Sequence, residues 1–426
     1  MVAALRPLRL PAFPRLASAY LVNELGNWLG EIALAVLVFD QTDSTLATAG
    51  LFLGVHFAPA FLTPPLVARL DGVEARRALP ALYAIEAVAF GVLALLAGEF
   101  ALAAVLAIAT LDGAIASAAR ALTRASATAV LAPAGQLREG NALLNVAFTA
   151  GAAVGPALGG LVVAGAGVET ALLADAASFL CVAALLAARA LPTPATDPDE
   201  RGWGVRLRRG FAYVSERRPL RRLLGAQAAA FVFFATVIPI EVALAKDTLD
   251  AGDFGYGLLL ASWGTGMVIG SVVFTAVRRV ALPVLLIVST LAIGLAYLGM
   301  GAAPTLALAC VAASVGGTGN GIQWVALVTA VQELTRATYQ ARVLALLEAL
   351  ASAMPGIGFL LGGAIAALID PRASFVVAGV GVIAVLAIAI ARLRHVDWPP
   401  ELEQGQPLPA TSVAGHGDTG TALTGS

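Results

Sequence analysis

Twelve apolar runs of roughly twenty residues recur along the chain, and nothing else in the sequence limits its fold as strongly. About twenty residues, at a rise of roughly 1.5 Å each, cross the ~30 Å hydrocarbon core of a bilayer as a helix. The runs lie near 16–39, 46–68, 78–98, 101–119, 141–164, 170–188, 223–245, 256–277, 281–301, 305–328, 343–369 and 373–391. Several connections, such as Gly98–Phe100 and Gly301–Pro304, are so short that neighbouring helices must run antiparallel. Only 12% of residues are charged, about half the share with which a soluble domain covers its surface. The chain therefore reads as an all-α membrane protein. Its first run follows Arg6, Arg9 and Arg15, exceeds the apolar core of a signal peptide and lacks a clear cleavage site, so it is expected to be a retained helix.

Basic residues set the expected orientation. There are 25 arginines and one lysine, Lys246. With the N-terminus in the cytoplasm, 24 of these charges fall on cytoplasmic segments and only Lys246 and Arg372 fall outside. One missed or extra helix would scramble that alternation. The outer loops carry Asp40, Asp43, Glu99, Glu169, Asp247, Asp250, Asp253 and Asp370, read as solvated caps. The protein is expected to be a multi-pass plasma-membrane protein with both termini cytoplasmic.

Six runs precede a hydrophilic stretch and six follow it. The expected units are an N-terminal six-helix bundle over 1–189, a cytoplasmic linker over 190–222, a second bundle over 223–398 and a disordered tail over 399–426. The linker opens on Pro192, Pro194 and Pro198 and turns arginine-rich and amphipathic around Trp203–Arg222, as an interfacial helix would. A shift of 203 residues lays Leu143-Leu144 on Leu346-Leu347, Gly155 on Gly358 and Gly159-Gly160 on Gly362-Gly363. Such a repeat is what a two-bundle transporter uses; chance likeness of two Gly/Ala/Leu-rich helices is the other explanation.

Several functions are excluded or disfavoured. The net charge of −1 gives no field for nucleic acid. Lys246 stands between Ala245 and Asp247, so no Walker A loop exists and the chain carries no ATPase of its own. His56, His395 and His416 are scattered, which leaves a zinc hydrolase without ligands. Cys181 and Cys310 sit in apolar runs as small packing residues. No enzyme, metal or cofactor is expected.

Charged residues at membrane depth are costly and mark function by default. In span one, Glu24, Asn27, Trp28 and Glu31 follow at i, i+3, i+4 and i+7 and share one helix face. That face is read as turned to a cavity; the alternative is that Glu24 snorkels to water at the inner interface. Further buried acids are Glu86, Asp112, Asp175 and Glu348. Asp112 could pair with Arg120, and Asp175 could serve only helix contacts. His56 stands alone and reads as a hydrogen-bonded packing residue.

Span five carries Gly151-Ala-Ala-Val-Gly155-Pro156-Ala-Leu-Gly159-Gly160. Glycines four apart make a flat stripe that lets another helix approach closely, and Pro156 removes a backbone donor and bends the helix. Spacing alone leaves gating and ordinary small-residue packing equally open. The motif resembles that of drug/proton antiporters of the major facilitator superfamily, over residues of about 15–393. Leu25-Gly26-Asn27-Trp28, Asp40-Gln-Thr-Asp-Ser44, Asn141-Ala142-Leu143 and Asp175-Ala-Ala-Ser-Phe179 are similar to bacterial exporters of the enterobactin-exporter and macrolide-efflux type.

The resemblance implies twelve helices in two pseudo-symmetric six-helix bundles, a central cavity and proton-driven export. The substrate would be a small amphiphilic molecule such as a drug, siderophore or natural product; the partners would be that molecule, protons and the bilayer, and the chain would act as a monomer. Of the residues read above, Glu24, Asn27, Trp28, Glu31, Asp112 and Glu348 are expected to serve coupling and substrate in that cavity. Between Glu31 and Glu24, the former lies nearer the middle of its run. One departure is in loop 2–3, Pro65-Leu-Val-Ala-Arg69-Leu-Asp71-Gly-Val-Glu-Ala-Arg76-Arg77. Its arginines fit the family's gate-steadying motif, but Ala68 holds the usual Asp position, with Asp71 as a shifted substitute; a plain basic loop is the alternative. Nutrient uptake by proton symport and a non-transport membrane sensor are the competing functions.

Overall fold

The computed structural model describes residues 5–70, 74–188, 191, 203–277, 280–335 and 337–393. Asp71, the proline-rich start of the linker and the expected tail lie outside the described residues. Every regular element among the described residues is a helix.

Helix α1 (Phe13–Thr42) is the first span. The second is α2 (Thr45–Phe52) running through a π-helical turn at Leu53–Phe57 into α3 (Pro59–Leu70). Helices α4 (Ala75–Gly98) and α5 (Leu102–Leu131) are the third and fourth. Helix α6 (Leu137–Ala187) has 51 residues, about 75 Å of helix, far more than a bilayer can take. It is two spans that turn at Gly167, whose φ of 85° and ψ of 166° only glycine adopts without strain.

Helix α7 (Trp203–Glu216) is the amphipathic linker helix, held against the second half by Tyr213, which stacks on Tyr339 at 4.2 Å. Span seven is interrupted: α8 (Arg218–Ala235), a 3-10 turn around Pro239, the short α9 (Glu241–Ala243) and a π-turn at Leu244–Thr248. Helices α10 (Gly252–Ala276), α11 (Leu282–Ala302), α12 (Leu306–Glu333), α13 (Ala337–Leu368) and α14 (Pro371–Leu393) complete the second bundle.

Ten stretches among the described residues are long and apolar enough to cross a membrane. One of these is the double helix α6, and α12 falls short because Gly316-Gly317-Thr318-Gly319-Asn320-Gly321 dilutes its apolar character. Counting both gives the twelve spans expected. Several boundaries differ from the sequence reading, α5 and α8 among them. Helix α5 continues from 119 to Leu131, because Arg120 ends the apolar run but not the alanine-rich helix. Helix α8 starts at Arg218, inside the stretch read as linker.

The two halves meet through two matched helix pairs. The fifth span, in α6, lies on α10, where Gly257 abuts the Pro156 carbonyl and Gly264 the Ala152 carbonyl. Helix α13 lies on α2, where Gly363 faces Thr45 and the Thr45 hydroxyl donates to the Gly363 carbonyl at 3.2 Å. Within each half the same registers repeat. Gly155 and Gly159 pack on Trp28 and Ile32 of α1, while Gly358 and Gly362 pack on Val232 and Thr236 of span seven. The contacts thus follow the 203-residue shift read from the sequence. Van der Waals packing of bare backbone is the main force between helices in lipid, where no hydrophobic gain is left.

Candidate functional site

Between the halves lies a cavity of about 510 Å³. Of the residues expected there, Glu24, Asn27, Trp28, Glu31 and Asp112 line it. Glu348 does not; it is exposed on α13. The helical spacing of the span-one face put its four residues together, and the glycine stripe behind Trp28 sets how far α1 stands from α6. A Cβ at Gly155 would come 2.7 Å from the Trp28 Cβ, and one at Gly151 3.0 Å from the Glu24 Cβ.

Each span-one acid faces a base on another helix. Glu24 is buried, 3.8 Å from the Arg120 Nε, which rules out the snorkelling alternative. The gap is too long for a hydrogen bond, and both Glu24 Oε1 and Arg120 Nε lack one. The expected Asp112–Arg120 pair is absent, since eight residues put the two about 12 Å apart along α5. Arg124, one turn on, donates to the Tyr20 hydroxyl at 2.7 Å. Glu31 lies 3.6 Å from the His56 Nε2. His56 is therefore not the solitary packing residue expected from the sequence. It sits on the π-turn of span two, stacked on Phe52 at 5.7 Å, and projects into the cavity. Local π-turns recur at functional sites because they re-aim one side chain.

The second half contributes an acid that the sequence reading passed over. Glu241 starts α9 just after Pro239 has broken span seven, and it lines the cavity while nine-tenths buried. An acid inside the apolar run 223–245, next to a proline, was the available signal. Trp263 stacks on Tyr297 at 5.4 Å beside it, giving the wall aromatic faces to match Trp28.

Three more acids, Glu86, Asp112 and Asp175, are buried in the first half. An ionised carboxylate at membrane depth costs at least about 3 kcal/mol. Asp175 fits against bare α1 backbone: a Cβ at Gly26 or Gly30 would run into its carboxylate oxygens. Ser178 donates to its Oδ1 at 3.0 Å. Two of the segments singled out in sequence, Leu25-Gly26-Asn27-Trp28 and Asp175-Ala-Ala-Ser-Phe179, thus pack on each other.

At one end of the cavity a clamp ties the halves. Lys246 donates to Asp40 of α1 at 2.5 Å and to Asp253 of α10 at 2.6 Å. These two aspartates are not merely solvated caps. Arg372, at the same end, donates to the Gly301 and Ala303 carbonyls at 2.6 and 2.8 Å, capping α11.

A family model described as "Transmembrane secretion effector" matches residues 2–416. The chain belongs to this family, within the major facilitator superfamily. No curated protein sequence matches it. Solved structures share its fold at low identity. The nucleoside transporter NupG superposes with a TM-score of 0.71 at 12% identity, over 90% of this chain and 100% of that one. A bacterial homologue of the iron transporter ferroportin, in an inward-facing state, gives 0.70 at 16%, over 90% and 99%. A bacterial homologue of the lysosomal transporter Spinster, inward-facing and unoccupied, gives 0.69 at 14%, over 92% and 99%.

The chain is a multi-pass membrane transporter of a small molecule and not an enzyme. Among its described residues no three His, Cys, Asp or Glu side chains converge to hold a metal ion. In loop 2–3, Arg76 and Arg77 are exposed and turn to Glu74, at 2.9 and 3.6 Å; Arg69 belongs to the last turn of α3.

Proposed function

We propose that this protein exports a small amphiphilic organic molecule by proton antiport, through alternating access of the cavity to the two sides of the plasma membrane. One observation supports this reading above all: the span-one acids stand in the cavity between the halves, each opposite a base, Glu24 by Arg120 and Glu31 by His56. A proton arriving on either acid cancels its attraction to the base. A bound molecule competes for the same surface, with Asn27 Nδ2 free of other hydrogen bonds and Trp28 offering an aromatic face. Competition of proton and cargo for one surface is the physical content of antiport. The excess of acid over base in the wall favours a neutral or cationic amphiphile over an organophosphate.

The arginine bias puts the Arg120 end in the cytoplasm and the Lys246 clamp outside. The clamp, with the glycine contacts of α6 on α10 and α13 on α2, then closes the outer side, a state in keeping with the inward-facing relatives. The glycine stripe of span five is the bearing on which that closure opens. Each chain carries a complete cavity, and we assign it a monomeric working unit.

A thermal-shift screen of amphiphilic compounds on purified protein supplies ligands. Export predicts that these accumulate in inverted vesicles when the lumen is acidified. Proton symport predicts loss from the same vesicles, and a sensor predicts no movement. Orientation is read separately: cysteines at Thr42 and Glu216, in a background lacking Cys181 and Cys310, should label from opposite sides with an impermeant thiol reagent. Labelling of both from outside would overturn the topology.

A further inference from the structure

Glu24 and Glu31 of span one each face a base, but a second set of acids in the first half does not. Glu86 of α4, Asp112 of α5 and Asp175 of α6 are respectively 0%, 8% and 0% exposed. Both oxygens of Glu86, Oδ1 of Asp112 and Oδ2 of Asp175 are buried without a hydrogen-bond partner. The three gather around one place: a Cβ at Gly30 would meet both Asp175 Oδ2 and the ring of Phe90, which follows Glu86 by one turn of α4 and lines the cavity with Asp112.

The surroundings offer no cation to balance them. Among the described residues none of the three makes an ion pair. Arg120 is the base whose field reaches Glu86, and its guanidinium is turned to Glu24 of α1. On α4, the Tyr83 hydroxyl is occupied with Thr123 of α5 at 3.2 Å; on α6, Ser178 satisfies one oxygen of Asp175. Helix α1 meets Asp175 with the backbone of Gly26 and Gly30, which carries no charge. Three neighbouring carboxylates without a counter-charge cannot all ionise out of water, because each charge raises the cost of the next. A carboxyl that keeps its proton turns an orphan acceptor into a donor for its neighbour. A metal ion would answer the same deficit, but the three do not converge to metal-ligand geometry.

We propose that Glu86, Asp112 and Asp175 form a proton store inside the first half, filled and emptied through Asp112, the member that opens on the cavity. Asp112 lines the same cavity as Arg120 and Glu24, whereas Glu86 and Asp175 do not line it. The store holds protons whatever the cargo; that it feeds transport rests on the antiport reading above. It separates two tasks that one residue would otherwise share, releasing cargo at Glu24 and Glu31 and holding protons out of reach of cargo.

The test is infrared spectroscopy of the purified full-length protein in lipid at neutral pH, in choline chloride. Protonated carboxyls absorb apart from carboxylates and amides. The wild type should show that band at neutral pH, and Glu86→Gln, Asp112→Asn and Asp175→Asn should each remove part of it and shift the remainder. In Asp112→Asn the remaining band should also exchange with deuterium more slowly than in wild type, because its route to the cavity is cut. No protonated-carboxyl band in the wild type, a measurement that needs no variant, overturns the store. So does a band untouched by all three substitutions, or one abolished by replacing choline with sodium. Unchanged exchange in Asp112→Asn overturns the route through Asp112. An intact band with no gradient-driven accumulation in inverted vesicles sinks the antiport reading alone.

Discussion

The two halves of this transporter are built alike and equipped differently. Both pack the same registers, Gly155 and Gly159 on α1 in the first half, Gly358 and Gly362 on span seven in the second. Both also reach across to the other half with glycine, Gly160 to Gly257 and Gly363 to Thr45. The buried polar groups part company. The first half holds Glu24, Glu86, Asp112 and Asp175; the second holds Glu241 and a neutral pair, Gln227 and Gln323, joined by a 3.1 Å hydrogen bond. A duplicated scaffold needs its helix contacts in both copies, since the halves rock as matched bodies. Each buried acid costs stability, and most of them stand in the first half, where the proposed proton chemistry would sit.

The largest effect should come from the shared element. Leucine at Gly155 or Gly159 must displace Trp28 or Ile32, and leucine at Gly358 or Gly362 must displace the backbone of span seven. All four variants should lose transport while still inserting in the membrane, measured by vesicle accumulation against membrane yield. Transport retained in the second-half pair would break the symmetry of the comparison.

A smaller effect is expected at the clamp. Lys246→Ala frees Asp40 and Asp253; the pair with Asp40 is the one that crosses between the halves, and at about 1 kcal/mol its loss should raise the open-outside population roughly five-fold. Thiol labelling of a cysteine at Trp28, which lines the cavity, from the outer side reads that population. The same labelling rate as with Lys246 present would remove the clamp from the account. The smallest effect belongs to the neutral pair. Gln323→Leu leaves Gln227 without its donor and should lower thermal stability by about 1–3 kcal/mol while leaving the pH profile of transport unmoved. A shifted profile would place coupling chemistry in the second half as well.

What the sequence disclosed follows from the range over which each force acts. Spans are local, since an apolar run of about twenty residues identifies itself, and so is the face of Glu24, Asn27, Trp28 and Glu31, which helical period alone assembles. The glycine registers were legible for the same reason. Pairings across helices were not: Arg120 reaches Glu24 rather than Asp112, His56 meets Glu31, and Lys246 meets Asp40 across 206 residues of chain. Glu348 looked like a cavity residue because its run is apolar, but which face of α13 meets the cavity is set by packing that the sequence does not give. Glu241 was hidden by its setting, an acid beside the proline that breaks span seven.

The central claim is that the acids of the first half couple protons to export. It is tested most directly with Glu24→Gln and Glu31→Gln in inverted vesicles, using a compound from the thermal-shift screen. Each variant is assayed for accumulation driven by an acid lumen and for gradient-free exchange of labelled for unlabelled compound. Gradient-driven accumulation should be lost, more completely in Glu31→Gln, while part of the exchange survives. Full pH-dependent accumulation in both variants would contradict the claim.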